Sequence, residues 1–134
     1  MLFLHGFGDT AHVYDVLAPK FTNQFRVLAL TRRGHGESEK PESGYDTANR
    51  VEDIRQFLDA LKIRRAVLAG HSAAGHELTR FGSVHPDRTI KLVYLDAVYI
   101  TGARLELVGR MPPEFVESLG SSHHGSEAWE PRRG

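Results

Sequence analysis

Four short apolar runs, Leu2 to Leu4, Val27 to Leu30, Ala66 to Ala69 and Ile90 to Leu95, are each separated from the next by a stretch with helical spacing. That alternation narrows the fold more than any other feature of the chain. Continuous apolar runs of this length read as strands buried on both faces, and such strands need helices to cover them. Val13, Leu17 and Phe21 repeat every four residues. Val51, Ile54, Phe57, Leu58 and Leu61 form an apolar face with charged residues opposite, and Leu78, Phe81 and Val84 form a third. Asp46 or Thr47 is placed to cap the second helix, and Pro86 to end the third. Strands joined through helices form right-handed crossovers, so the predicted fold is α/β, an open parallel sheet of four strands with crossover helices. Ligands in such sheets bind beyond the carboxyl ends of the strands, where His5 to Gly8, Arg32 to Ser38, Ser72 and Asp96 all fall.

Within the third strand and the helix after it, Gly70-His71-Ser72-Ala73-Ala74-Gly75 has the form of a nucleophile elbow. A serine hydroxyl is a weak nucleophile at neutral pH. It must be presented on a sharp turn, beside a general base and near amide donors for a developing oxyanion. Gly70 lets the chain pass closely beneath the serine, and Ala73, Ala74 and Gly75 keep side chains away from the reacting atoms. The usual pattern is G-x-S-x-G; here the second glycine is displaced by one, to Gly75, and Ala74 takes its place. The bland alternative is a strand-to-helix turn with a solvated serine. A phosphate-binding loop is excluded, because His76-Glu77 follow Gly75 where lysine and serine or threonine are required.

Composition removes several other classes. Basic and acidic residues number 17 each, which leaves no net charge to attract nucleic acid or an anionic membrane. The chain has no cysteine, hence no disulfide scaffold, thiolate catalysis or sulfur-ligated metal. The apolar runs are too short to span a membrane, and the first residues lack the charged start and the length of a signal peptide. A soluble, cytoplasmic protein of one domain is expected, with a small-molecule partner, no cofactor and no metal; its oligomeric state is left open.

Three signatures, in order and spacing, resemble the α/β-hydrolase family over residues 1–100. His5-Gly6-Phe7-Gly8 follows the first strand as the family's oxyanion loop does. Arg33-Gly34-His35-Gly36-Glu37-Ser38 is similar to its R-G-x-G-x-S loop. The elbow is followed by His85-Pro86-Asp87-Arg88 and then Leu92 to Ala97, placed as in the family. The resemblance implies that Ser72 attacks an ester-like carbonyl and forms an acyl-enzyme, with the backbone amides of Phe7 and Ala73 holding the oxyanion and the helix starting at Ser72 favouring that anion. Asp96 is a candidate acid, since some members place theirs after this strand; the alternative is a capping or loop-orienting carboxylate. A serine at the elbow disfavours the branches with an aspartate nucleophile, such as haloalkane dehalogenases and epoxide hydrolases.

The same resemblance implies parts that this chain does not match. Family members begin with two further strands and continue to a late histidine, so residues 1–100 read as a partial core and residues 101–134 as the start of a lid region with a polar tail. A truncated product or a fragment is expected, its strands at Val27 to Leu30 and Ile90 to Leu95 left uncovered at the two edges of the sheet. Pro112 to Leu119 suits one short helix, and Gly120 to Gly134 is polar and aperiodic, with disorder expected. Among eight histidines, His123 and His124 follow Ser72 and Asp96 in the family's chain order, but no apolar pattern fixes them. His5 and His35 suit loop-orienting roles, His71 a side chain turned from the nucleophile, His76 packing or solvation, and His12 and His85 the helix surface. Arg32 and Arg33 suit either an anionic substrate or a structural role. Three readings follow: a serine hydrolase, a catalytically silent fragment or ligand-binding relative, and an interaction module exposing its sheet edges.

Overall fold

The computed structural model of the protein describes residues 1–97. Four strands, β1 (Leu2–Leu4), β2 (Leu28–Leu30), β3 (Ala66–Ser72) and β4 (Thr89–Ala97), form one sheet in the order β2-β1-β3-β4. Every pairing is parallel. Two helices, α1 (Thr47–Ala60) and α2 (Ala74–Val84), carry the chain from β2 to β3 and from β3 to β4. This is the parallel α/β sheet that the apolar runs predict. Residues 101–134, with the expected Pro112 to Leu119 helix, His123 and His124, lie outside the described residues.

The two faces of the sheet are covered differently, and the strands show it by alternation. Leu2 and Leu4 pack with Leu68 against Val51, Ile54 and Leu58 of α1 and Leu78 and Phe81 of α2. Phe3 and Ala69, the intervening residues, pack on the other face with Tyr14, Leu17 and Phe21. Right-handed crossovers that run in opposite directions along a sheet must lie on opposite faces. The β1–β2 connection and the two helical ones do so, and the reversal places a crevice at the carboxyl ends of β1 and β3.

The β1–β2 connection departs from expectation. Instead of one helix it makes two 3-10 turns, Ala11–Tyr14 and Ala18–Phe21. Pro19 cannot donate the amide that a continuous helix would need, so the chain tightens into short i→i+3 turns. The facing residue shifts as well: Val13 is exposed and Tyr14 enters the core, stacking on Phe3 at 4.7 Å between ring centroids.

Asp46 caps α1, Oδ1 accepting from the amides of Ala48 at 2.9 Å and Asn49 at 3.0 Å. Strand β3 runs three residues past the Ala66 to Ala69 run and ends on Ser72 itself, so α2 starts at Ala74 with Ala73 as its cap, not at Ser72. Helix α2 stops at Val84, and Pro86 opens a separate 3-10 turn, Pro86–Arg88. Strands β2 and β4 are the edges of the sheet among the described residues. Among those residues no helix is long and apolar enough to cross a membrane.

Candidate active site

Ser72 has φ +52°, a left-handed conformation that residues with a side chain resist. Holding such a residue costs on the order of 1–3 kcal/mol, which the surrounding structure must supply. It does so through β3, paired with β1 on one side and β4 on the other, and through α2, which turns back over the strand. Gly70 makes that return possible. A methyl there would stand 3.0 Å from both Ala74 Cβ and Leu78 Cδ1. The displaced glycine of the motif is therefore harmless: the Ala74 methyl is fully buried in space that the missing side chain of Gly70 leaves open.

The loop after β1 comes level with the serine because of strand register. Leu4 of β1 lies opposite Gly70 of β3, so His5 and Gly6 run beside His71 and Ser72. Contact is close: a methyl on Gly6 would meet His71 Nδ1 at 2.9 Å and Ser72 Cβ at 3.2 Å. The imidazole of His71 thus lies against Gly6. On the far side of β3, His71 pairs with Leu95 and Ser72 with Ala97, which leaves Asp96 as the extra residue of a bulge, exposed and with φ +46°. Phe7, 81% exposed, stands at the rim, its ring edge-on to His35 at 6.1 Å. A shallow groove of about 620 Å³ opens beside it, lined by Phe7, Asp9, His35, Tyr45 and Arg50 among others.

Beneath these loops lies a polar network in which every member is specific. His5 is fully buried; its Nε2 accepts from the Arg32 amide at 3.0 Å, which assigns the proton to Nδ1, and Nδ1 donates to the Gly6 carbonyl at 2.7 Å. Burial holds the His5 imidazole below its usual pKa, so it is neutral. Arg32, also buried, donates from Nη1 to Glu77 Oε1 at 2.5 Å and from Nη2 to the Gly6 carbonyl at 3.0 Å. Arg50 approaches the same Glu77 oxygen at 3.5 Å. Burial pushes the Glu77 carboxyl up, against the pull of Arg32 and Arg50. The Tyr14 hydroxyl donates to the Leu4 carbonyl at 2.7 Å, and burial pushes its phenol up to about 12.

These partners decide between the two expectations for the arginines. Arg32 is sealed beneath the loops, and Arg33 forms a two-pronged pair with Asp53 while also donating to the Gly44 carbonyl at 3.0 Å. Both arginines have protein partners, the structural one of the two expectations. His35 Nδ1 lies 3.1 Å from the Arg33 carbonyl within the same loop, His12 pairs with Asp15 on the surface, and His85 ends α2 with its amide on Phe81. Glu77 is the residue that sequence reasoning missed. A signal was present: Glu77 shares a helix face with Ala74, Leu78 and Phe81, and a carboxylate on an otherwise apolar inner face calls for a buried cation.

A family model described as "Alpha/beta hydrolase family" matches residues 1–134. The chain is 32% identical over 96 residues to 2-(acetamidomethylene)succinate hydrolase of Mesorhizobium japonicum, covering 72% of this chain and 34% of that one. It is 36% identical over 100 residues to a non-heme chloroperoxidase of Streptomyces lividans, covering 73% and 36%. Among solved structures, the epoxide hydrolase of Bacillus megaterium superposes with a TM-score of 0.67 at 37% identity, covering 72% of this chain and 35% of its own. The chain spans about a third of the length of the curated relatives it matches. The family model covers the whole chain, and the parallel four-stranded sheet superposes on a solved structure at a TM-score of 0.67: the chain belongs to the alpha/beta hydrolase family.

Proposed function

We propose that this protein is a serine hydrolase acting on a small ester-like carbonyl substrate. Ser72 Oγ attacks the carbonyl carbon, its proton passes to a general base and then to the leaving group, and the acyl-enzyme is hydrolysed by water. The amides of Phe7 and Ala73 hold the oxyanion. Asp96, on the bulge next to Ser72, is the acid that orients the base. The observation that carries the reading is the left-handed serine at the end of β3 with the Gly6 loop level with it, since a solvent-capping serine has no need of that conformation. The names of the relatives, 2-(acetamidomethylene)succinate hydrolase and a non-heme chloroperoxidase among them, favour small molecules over polymers as substrates.

The test is covalent labelling with a fluorophosphonate read by intact mass. One adduct on the native chain, lost in Ser72→Ala, is the expected result; adducts that persist in Ser72→Ala remove the serine from the mechanism. A second reading, a silent pocket, has one observation in its favour: among the described residues no histidine hydrogen-bonds to Ser72 Oγ. It predicts no adduct at all.

A further inference from the structure

We infer that the buried Arg32–Glu77 pair, acting with His5, is a positioning device for the oxyanion donor: it fixes the Gly6–Phe7 peptide so that the Phe7 amide faces the elbow. This inference rests on the acyl-enzyme reading above and adds residues that do not touch the substrate.

The geometry is that of one peptide unit gripped from one side. The Gly6 carbonyl accepts from His5 Nδ1 at 2.7 Å and from Arg32 Nη2 at 3.0 Å, with the Asp9 amide at 3.4 Å as a longer third donor. In a trans peptide the carbonyl and the following N–H point in opposite directions. Drawing the Gly6 oxygen down into the protein therefore turns the Phe7 N–H up and away from it, on the edge where Gly6 lies against Ser72. A cationic donor on the oxygen also polarises the amide, which strengthens its N–H as a donor.

Glu77 sets where Arg32 can stand. Its carboxylate hangs from the first turns of α2, the helix that follows the elbow, and holds Arg32 Nη1 while Nη2 reaches Gly6. One guanidinium thus spans the two elements whose separation defines an oxyanion hole, the loop after β1 and the start of α2. A lysine at the same place would retain the charge but not the fork. His5 closes the circuit, its Nε2 accepting from the Arg32 backbone amide. Buried ion pairs are poor contributors to stability, so a pair of this kind beneath the loop calls for another role.

The decisive variant removes both charges. Arg32→Met with Glu77→Leu leaves no buried unpaired ion in the pair, and Arg50, the other cation near Glu77 at 3.5 Å, keeps a side chain 23% exposed to solvent, so the melting temperature is expected to fall by a few degrees at most. Two readouts accompany it: the rate of fluorophosphonate labelling, in which Ser72 Oγ bonds to phosphorus, fluoride departs and the hydroxyl proton is lost, and the amide ¹⁵N shift of Phe7 in the unlabelled protein, which senses hydrogen bonding to the Gly6 carbonyl. Labelling is expected to fall about tenfold to a hundredfold, the usual consequence of misplacing one donor, with a displaced Phe7 resonance. Arg32→Lys is expected to fall between the two and serves in place of the double variant if that one does not fold. Labelling within about twofold of the native rate overturns the inference, as does a loss of labelling with the Phe7 resonance unmoved. Absence of labelling in the native protein instead overturns the acyl-enzyme reading, and the positioning role with it.

Discussion

At Ser72 a side-chain-bearing residue occupies a left-handed conformation, while at Gly6 the absence of a side chain lets the neighbouring loop reach it. The two positions depend on each other. Gly6→Ala sets a methyl within 2.9 Å of His71 Nδ1 and 3.2 Å of Ser72 Cβ, so the loop must retreat. Labelling of Ser72 is expected to slow by about tenfold or more, with folding retained, because a small displacement of a donor weakens the transition state more than the fold. His5 gives a second residue-scale expectation, in stability against pH. Its folded-state pKa lies below the ordinary 6.5, so the unfolded chain binds the proton more readily. Stability therefore rises with pH through the interval from the lowered value to 6.5, and is lost as pH falls through it. Urea midpoints measured across that interval are expected to drop on acidification in the native chain, and His5→Gln is expected to flatten that drop.

At the scale of elements, each helix depends on one short-range device. Asp46 satisfies two amides at the start of α1, and Asp46→Ala is expected to cost about 0.5–2 kcal/mol in urea unfolding. Helix α2 depends on Gly70, whose missing side chain admits Ala74 and Leu78. Gly70→Val inserts a branched side chain beneath the elbow and is expected to cost about 1–3 kcal/mol while slowing Ser72 labelling, since the helix cannot retreat without moving the serine. The capping residue was legible in the sequence because it is a contact between near neighbours. The β1–β2 connection was not: its period of four marked Val13, Leu17 and Phe21, and Pro19 together with the stacking of Tyr14 on Phe3 decided instead for two 3-10 turns.

For the whole molecule, the order β2-β1-β3-β4 gathers the loops after β1, β2 and β3 at one edge and leaves β2 and β4 outermost among the described residues. Parallel strands whose outer amides and carbonyls lack a partner invite further pairing. Light scattering of this chain is expected to show mean mass rising with concentration, and Ile90→Lys, at an exposed position of β4, to reduce the rise. A constant monomer mass over that range would show the edges to be covered. Association of this kind concerns the sheet edges, not the elbow, so Ile90→Lys is expected to leave the labelling rate of Ser72 unchanged.

The parallel sheet, the strand-to-helix placement of Ser72, and the membership of His5 to Gly8 and Ser72 in one edge follow from the sequence alone, because each rests on the period of apolar residues or on spacing within a few positions. The partners of Arg32 were beyond its reach. Glu77 lies 45 residues away in the chain, and nothing local distinguishes an arginine awaiting a substrate from one sealed against a carboxylate. The left-handed turn at Ser72, the bulge at Asp96 and the proximity of Gly6 were likewise decided by register between strands, and register is fixed only when distant segments pack on both faces of one sheet.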